Sequence, residues 1–114
     1  MHEVGIMESA LETVERQARE HGAQRIHRIV LRIGSLSGVD VDSLRFAFDA
    51  VASSTLAAGA ELGIEQVAAR AYCKSCDADF APGTGWIFTC PRCGNLSSDV
   101  CQGRELELAR IEMS

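Results

Sequence analysis

Apolar residues recur every three or four positions along residues 4–21, which predicts an amphipathic helix. Gly22 follows the last apolar position and suits the end of that helix. The same spacing returns between about Asp42 and Ala57, so we expect a second helix there. Asp40 or Asp42 would be its N-cap, and Gly59 would break it.

Three other segments alternate between apolar and polar residues, as half-buried strands do. The clearest covers residues 25–33, where Ile29, Leu31 and Ile33 share one face. Leu62 to Ala69 is a second, weaker strand. Glu105 to Met113 is a third, although its alternation slips near the end. The pattern therefore predicts two helices and three strands.

Residues 71–102 follow neither period and hold few apolar side chains, so burial alone cannot fold them. They contain Cys73-Lys-Ser-Cys76 and Cys90-Pro-Arg-Cys93, two pairs separated by thirteen residues. Four thiolates at this spacing are typical of a closed tetrahedral zinc site. We therefore predict a structural zinc ion held by Cys73, Cys76, Cys90 and Cys93. Phe80, Trp86 and Phe88 would pack over the two cysteine turns.

The zinc interpretation leaves two questions about the cysteines. The pairs could instead be redox dithiols, but neither pair opens a helix after a strand as in thioredoxin-like proteins. The fifth cysteine, Cys101, is expected to be a small buried apolar residue.

Together these elements predict an α+β fold: a small mixed three-stranded sheet with two helices, plus a nested zinc-ribbon-like lobe. The body would cover residues 1–70 and be completed by the C-terminal strand at 103–114. Residues 71–102 would form the zinc-binding domain.

Composition narrows the class of protein. The chain has 114 residues, of which 46% are hydrophobic and 24% charged, with a formal net charge of -5. The acidic charge argues against nucleic-acid binding, even though Arg25, Arg28 and Arg32 form a local basic stripe.

No apolar run reaches the roughly 20 residues of a membrane span, and the charged amino terminus does not resemble a signal peptide. We expect a cytoplasmic protein with reduced thiols.

The amino terminus offers a second type of metal site. His2 is large, so Met1 should be retained, and the Met1 amine, the His2 amide and the His2 imidazole can form adjoining chelate rings. Ni²⁺ and Cu²⁺ favour planar sets of nitrogen and oxygen ligands. Glu3 and Asp40 are candidates for an added oxygen ligand, or for neutralising the ion without touching it.

These motifs, taken together, resemble the HypA/HybF family of nickel metallochaperones for [NiFe]-hydrogenase maturation. The resemblance covers essentially the whole chain. It is carried by the N-terminal Met1-His2-Glu3, the two cysteine pairs, Leu44-Arg-Phe-Ala-Phe48, Gly103-Arg-Glu-Leu-Glu-Leu, and the stretch Arg28-Ile-Val-Leu-Arg-Ile-Gly-Ser-Leu-Ser-Gly-Val-Asp40.

The resemblance implies a carrier and not an enzyme. It implies Ni(II) binding at His2, with Glu3 and Asp40 nearby, and zinc at the four cysteines. It also implies delivery of nickel to the hydrogenase large subunit in concert with a HypB-type GTPase. A homodimer, if one forms, cannot be read from the sequence.

Other functions compete with this hypothesis. The cysteine spacing also occurs in zinc-ribbon nucleic-acid-binding modules, but Lys74 and Arg92 are the only basic residues between Cys73 and Cys93. A thiol oxidoreductase would turn over a disulfide substrate. A purely structural adaptor would bind its partner whether or not nickel is present.

Overall fold

The computed structural model describes residues 2–83 and 88–114. Its helices and strands are α1 (His2–Glu20), β1 (Ile26–Gly34), α2 (Val41–Ala52), β2 (Glu61–Val67), β3 (Arg70–Cys73), β4 (Ala78–Phe80), β5 (Asp99–Gln102) and β6 (Leu106–Met113). They form two three-stranded sheets, in the orders β2-β1-β6 and β4-β3-β5. The predicted α+β class, with two helices and a nested cysteine-bearing lobe, is confirmed.

The described chain divides into two compact units. The first unit holds residues 2–32, Val39–Glu65 and Glu107–Ser114. The second holds Ile33–Gly38 and Gln66–Leu106, which include all five cysteines. We refer to the first unit as the body and to the second as the cysteine lobe.

The core of the body is aliphatic. Helices α1 and α2 pack against each other, and the apolar stripe predicted for α1 is buried. The strand β1 contributes further buried residues, and it is buried more fully than the predicted alternation allows, because Val30 is buried as well as Ile29 and Leu31. The largest fully buried side chains of the body are Met7, Leu11, Val14, Ile26, Ile29 and Leu44, and Phe48 on α2 is buried to 5% exposure. Burial of each such side chain contributes about 1.5–3 kcal/mol, so the body can fold by burial.

Helix α2 is shorter than predicted, because it ends at Ala52 rather than near Ala57. The Thr55 hydroxyl donates to the Ala52 carbonyl at 2.8 Å and accepts from the Ala57 amide at 3.0 Å. Hydroxyl side chains that bond to nearby backbone compete with helical hydrogen bonds. The apolar spacing in the sequence continues beyond Ala52, but the helix ends there because side-chain hydroxyls after it bond to the backbone.

The sheet of the body is mixed, as expected. Arg28 pairs with Glu61 at 2.9 Å and Arg32 pairs with Glu65 at 3.2 Å. Residue numbers rise together along the two strands, which is the order of a parallel pair. These ion pairs also neutralise Arg28 and Arg32, which are the two arginines of the predicted basic stripe on β1.

The third strand of that sheet, β6, runs the other way. The Ser114 amide donates to the Arg25 carbonyl at 3.0 Å, and the Gly34 amide donates to the Glu105 carbonyl at 2.7 Å. Residue numbers fall along β6 as they rise along β1, which is the antiparallel order. The far end of the chain thus completes the sheet begun by β1.

The cysteine lobe has its own small antiparallel sheet. Tyr72 on β3 lies opposite both Asp79 on β4 and Asp99 on β5. The buried core of the cysteine lobe consists of Ala71, Cys73, Phe80 and Cys90, and Cys76 and Phe88 pack against this core. The packing predicted for Phe80 and Phe88 is confirmed, whereas Trp86 lies outside the described residues. Among the described helices, none combines the length and apolarity needed to cross a membrane.

Candidate metal centres

Two matching turns present the four cysteine thiols. In the second turn, the Gly94 amide donates to the Cys90 carbonyl at 2.9 Å, with Gly94 at φ +75°. In the first turn, Asp77 has φ +49° and stands at the same offset from Cys73. Aspartate is among the residues that adopt this left-handed conformation most readily. The offset of four residues from the first cysteine of each pair is a sequence feature that could have identified Asp77.

The four sulfur atoms have the separations that a tetrahedral zinc ion requires. All four lie within 4.8 Å of one another. The Cys73 and Cys93 sulfurs are 3.5 Å apart, and the Cys76 and Cys90 sulfurs are 3.9 Å apart. Four Zn–S bonds of about 2.3 Å place sulfurs about 3.8 Å apart. The residues therefore fit a closed four-sulfur site, and the same separations are too long for disulfides.

The thiols have unequal affinities for protons. Backbone N–H groups of Cys93 and Arg92 directed at the Cys90 sulfur lower the pKa of Cys90 to about 7. The neighbouring Cys93 thiol and desolvation raise the pKa of Cys76 to about 12. Four thiolates crowded together repel one another, and a divalent cation relieves that repulsion. The arrangement thus favours a bound cation over four free thiols.

Cys101 was predicted to be buried, and this prediction is wrong. It lies exposed on β5, with its sulfur 3.5 Å from the Asp79 Oδ1. The strand β5 is an edge strand of a sheet that has little core beneath it. Desolvation and the Asp79 carboxylate raise the pKa of the Cys101 thiol, so it remains protonated near neutral pH.

Within the body, His2 and Glu3 lie side by side, and the backbone amide of Asp40 contacts Glu3. His2 is 67% exposed at the start of α1, whereas the Glu3 side chain is only 8% exposed. Glu3 Oε2 is 3.5 Å from His2 Nε2 and accepts a hydrogen bond from the Asp40 backbone amide at 3.3 Å. The sequence analysis did not predict the burial of Glu3. Met1 lies outside the described residues.

Asp40 is the N-cap of α2, as the sequence suggested. Its Oδ1 accepts from the backbone amides of Asp42 at 3.0 Å and Ser43 at 3.2 Å. These bonds satisfy two of the free amides at the start of the helix. One carboxylate oxygen of Asp40 is thus occupied by helix capping, while its backbone amide holds Glu3.

Comparison with known proteins assigns the family. The family model described as "Hydrogenase/urease nickel incorporation, metallochaperone, hypA" matches residues 1–113. The chain belongs to the HypA family. The family is thus one of nickel-incorporation metallochaperones that act in hydrogenase maturation, and the resemblance noted from the sequence is confirmed.

Relatives of this HypA-family chain share its length. It is 45% identical to the hydrogenase maturation factor HypA of Chlorobium limicola, covering 97% of this chain and 95% of that one. It is 41% identical to HypA of a Picosynechococcus species, covering 99% of both chains.

Solved structures agree with this assignment. A solution structure of the nickel metallochaperone HypA from Helicobacter pylori matches with a TM-score of 0.67 at 28% identity, covering 99% of this chain and 97% of that one. A second HypA solution structure matches with a TM-score of 0.73 at 28% identity, covering 100% of this chain and 97% of that one. The HypA fold therefore accounts for the whole chain.

Proposed function

We propose that this protein binds Ni(II) at its amino terminus and delivers it to the large subunit of a [NiFe]-hydrogenase during maturation. The observation that carries the proposal is the exposed His2 imidazole beside the buried Glu3 carboxylate, in a chain of the HypA family. Nickel is the cargo. Zinc at Cys73, Cys76, Cys90 and Cys93 is the resident, structural metal.

The ligands of nickel would be nitrogen atoms. The Met1 amine, the His2 amide nitrogen and the His2 imidazole supply the planar nitrogen set that Ni²⁺ favours. The amide of His2 begins α1 and has no acceptor within the helix, so the helix does not compete for it. Glu3 and Asp40 remain predicted sources of an oxygen ligand, or of negative charge close to the ion.

The exposure of His2 suits a carrier, which binds and releases its metal ion without catalysing a reaction. A partner can replace ligands at an exposed edge one at a time, whereas a closed four-sulfur site leaves no position open for exchange. We therefore regard the protein as a non-enzyme. It would act in the cytoplasm with a HypB-type GTPase and the hydrogenase large subunit, and would bind neither nucleic acid nor membrane.

Calorimetric titration of the zinc-loaded full chain with Ni²⁺ tests the proposal. His2→Ala removes the imidazole and should weaken nickel binding by more than about tenfold, since even loss of an outer-shell partner can reduce metal affinity by that factor. The matched control is His21→Ala, because His21 lies just past the end of the same helix and contacts only the Gln17 carbonyl at 2.8 Å among the described polar contacts. Equal affinities for the parent and His2→Ala would overturn the proposal.

The amine is tested separately. A Gly-Ser extension ahead of Met1 moves the free amino group two residues away from His2. It should therefore also weaken nickel binding. X-ray absorption of the nickel-loaded protein should then report nitrogen and oxygen ligands. Nickel coordinated only by sulfur would exclude the amino-terminal site.

A further inference from the structure

Two exposed apolar side chains lie on the helices of the body. Among the residues that the structure describes, the large apolar side chains left exposed are Val4, Phe46, Leu96 and Leu106. Of these four, only Val4 and Phe46 belong to the body, and Phe46 is 78% exposed. A single exposed apolar side chain is ordinary at a protein surface, whereas a group of them marks a candidate interaction surface.

Val4 and Phe46 lie near the starts of α1 and α2, and these starts are in contact. Val4 directly follows Glu3, whose carboxylate accepts a hydrogen bond from the Asp40 amide at 3.3 Å. Phe46 comes six positions after Asp40, which is about 9 Å along the axis of α2. His2 is exposed at the same end of α1. The two apolar side chains therefore lie at the end of the body that carries the proposed nickel ligand.

The outer face of α2 places Phe46 between two carboxylates. Leu44 and Phe48 are buried, and the residue midway between them faces the opposite side of the helix. Asp42 precedes Phe46 by four positions, and Asp49 follows it by three, so both aspartates share its face. Both are exposed. Phe46 is thus an aromatic side chain flanked by negative charge.

The same arrangement continues on α1, and the cation of α2 does not offset it. Glu8 is exposed four positions after Val4, on the same helix face. Arg45 is the only basic residue of α2, and its guanidinium donates to the Leu62 carbonyl on β2 at 3.1 Å. We refer to Val4, Glu8, Asp42, Phe46 and Asp49 as the helix-end patch.

We propose that the helix-end patch is a docking surface for the hydrogenase large subunit, with Phe46 as its apolar anchor. This inference rests on the proposed function and adds to it the surface that the nickel acceptor contacts. Aromatic side chains are enriched at protein interfaces, and complementary charge guides association. The acceptor would therefore present an apolar pocket rimmed by lysine or arginine. Docking at this end brings the acceptor close to His2, where nickel ligands can be exchanged within the complex.

A second copy of this chain fits the helix-end patch poorly. A symmetric dimer brings the same surface of both copies together. Asp42 and Asp49 of one copy would then face those of the other around the two Phe46 rings. Like charges opposed across an interface weaken association. Charge therefore favours a basic partner over a homodimer at this surface.

Binding of the nickel-free large subunit to the full chain loaded with zinc and nickel, measured by biolayer interferometry, tests the anchor. Phe46→Ser should weaken binding by about tenfold or more, as loss of an interface hot spot does. Leu96→Ser is the matched control, because Leu96 is 83% exposed but lies in the cysteine lobe. This control should bind as the parent does. Equal affinities of Phe46→Ser and the parent would overturn the inference.

The carboxylates are tested by the dependence of binding on salt. Asp42→Asn combined with Asp49→Asn should slow association at low salt and reduce the loss of affinity as salt is added. Glu20→Gln is the control, because Glu20 is exposed at the far end of α1. A double variant that associates as fast as the parent at low salt contradicts a partner with a basic rim.

Calorimetry with Ni²⁺ separates this inference from the proposed function. Phe46→Ser should bind nickel as the parent does, and a loss of nickel binding would show that Phe46 acts on the metal site instead of on docking. If the parent delivers nickel and Phe46→Ser docks equally well, only the inference fails. If the parent binds nickel but not the large subunit, both docking and delivery are wrong.

The remaining occupants give different results with the same variant. If Phe46→Ser loses binding of the HypB-type GTPase but keeps the large subunit, the patch belongs to the GTPase. If light scattering shows a dimeric parent and a monomeric Phe46→Ser, the patch belongs to a second copy. Either result would overturn the inference.

Discussion

The body and the cysteine lobe differ in the amount of hydrophobic core that each of them buries. The body buries a set of large aliphatic side chains from two helices and a sheet, each contributing about 1.5–3 kcal/mol. The lobe buries only Ala71, Cys73, Phe80 and Cys90, and two of these four are predicted zinc ligands. A structural zinc ion contributes on the order of 10 kcal/mol, several times the burial of any single side chain. If the predicted zinc ion is bound, a metal would replace a hydrophobic core where the chain is short of apolar residues.

The two predicted metal sites differ in how far their ligands are buried. Cys73 and Cys90 are buried, and a closed four-sulfur site leaves no position open for exchange of ligands. His2 lies exposed at the start of a helix. Burial suits a metal that stabilises the fold, and exposure suits a metal that is passed on.

Removal of zinc should have the largest effect and should separate the two units. Cys90→Ser replaces a ligand that is 2% exposed and should abolish stoichiometric zinc binding, removing on the order of 10 kcal/mol of stabilisation from the lobe. Backbone amide NMR should then lose dispersion for β3, β4 and β5, while α1 and β1 keep theirs. Cys101→Ser is the control and should retain zinc. A lobe that keeps its sheet without zinc would break the comparison.

Truncation of the aliphatic core should have the next largest effect, and on the other unit. Leu44 is fully buried on α2, so Leu44→Ala should lower the free energy of unfolding of the body by about 2–5 kcal/mol. Urea unfolding followed by helical circular dichroism measures this change, and zinc content should stay at the parent value. Leu96→Ala, at a residue that is 83% exposed, should change stability by less than about 0.5 kcal/mol. Similar losses in both variants would contradict the assignment of the core.

The smallest effect concerns a polar contact of the lobe. The Tyr72 hydroxyl donates to the Asp77 carboxylate, and this bond raises the pKa of Tyr72 above its ordinary value. Because the folded-state pKa is raised, the stabilisation is present below the unfolded-state pKa and is lost as pH rises through the folded-state value. Asp77→Asn, which tolerates the left-handed backbone, should return the titration toward the ordinary range.

Ultraviolet absorbance of tyrosinate measures that titration without ambiguity, since Tyr72 is the only tyrosine. A midpoint that is the same in the parent and in Asp77→Asn would show that the hydrogen bond does not act on the phenol.

Regular patterns were read correctly from the sequence, and local exceptions were not. The strand β1 begins and ends within one residue of its prediction, although its burial does not alternate throughout, since Val30 is buried between Ile29 and Leu31. The end of helix α2 was predicted five residues too late, because apolar spacing does not register the hydroxyl–backbone bonds of Thr55. Cys101 was predicted to be buried because cysteine usually is, but it falls on an exposed edge strand.

The sequence by itself determined the periodic elements, the four-cysteine set and the family, because spacing along the chain dictates which side chains share a face or a turn. Only the tertiary structure decided how residues distant in sequence meet. It placed the Asp40 amide on the Glu3 carboxylate, thirty-seven positions away, and it joined β6 to β1. Burial of a polar side chain depends on such long-range contacts, and no local pattern encodes it.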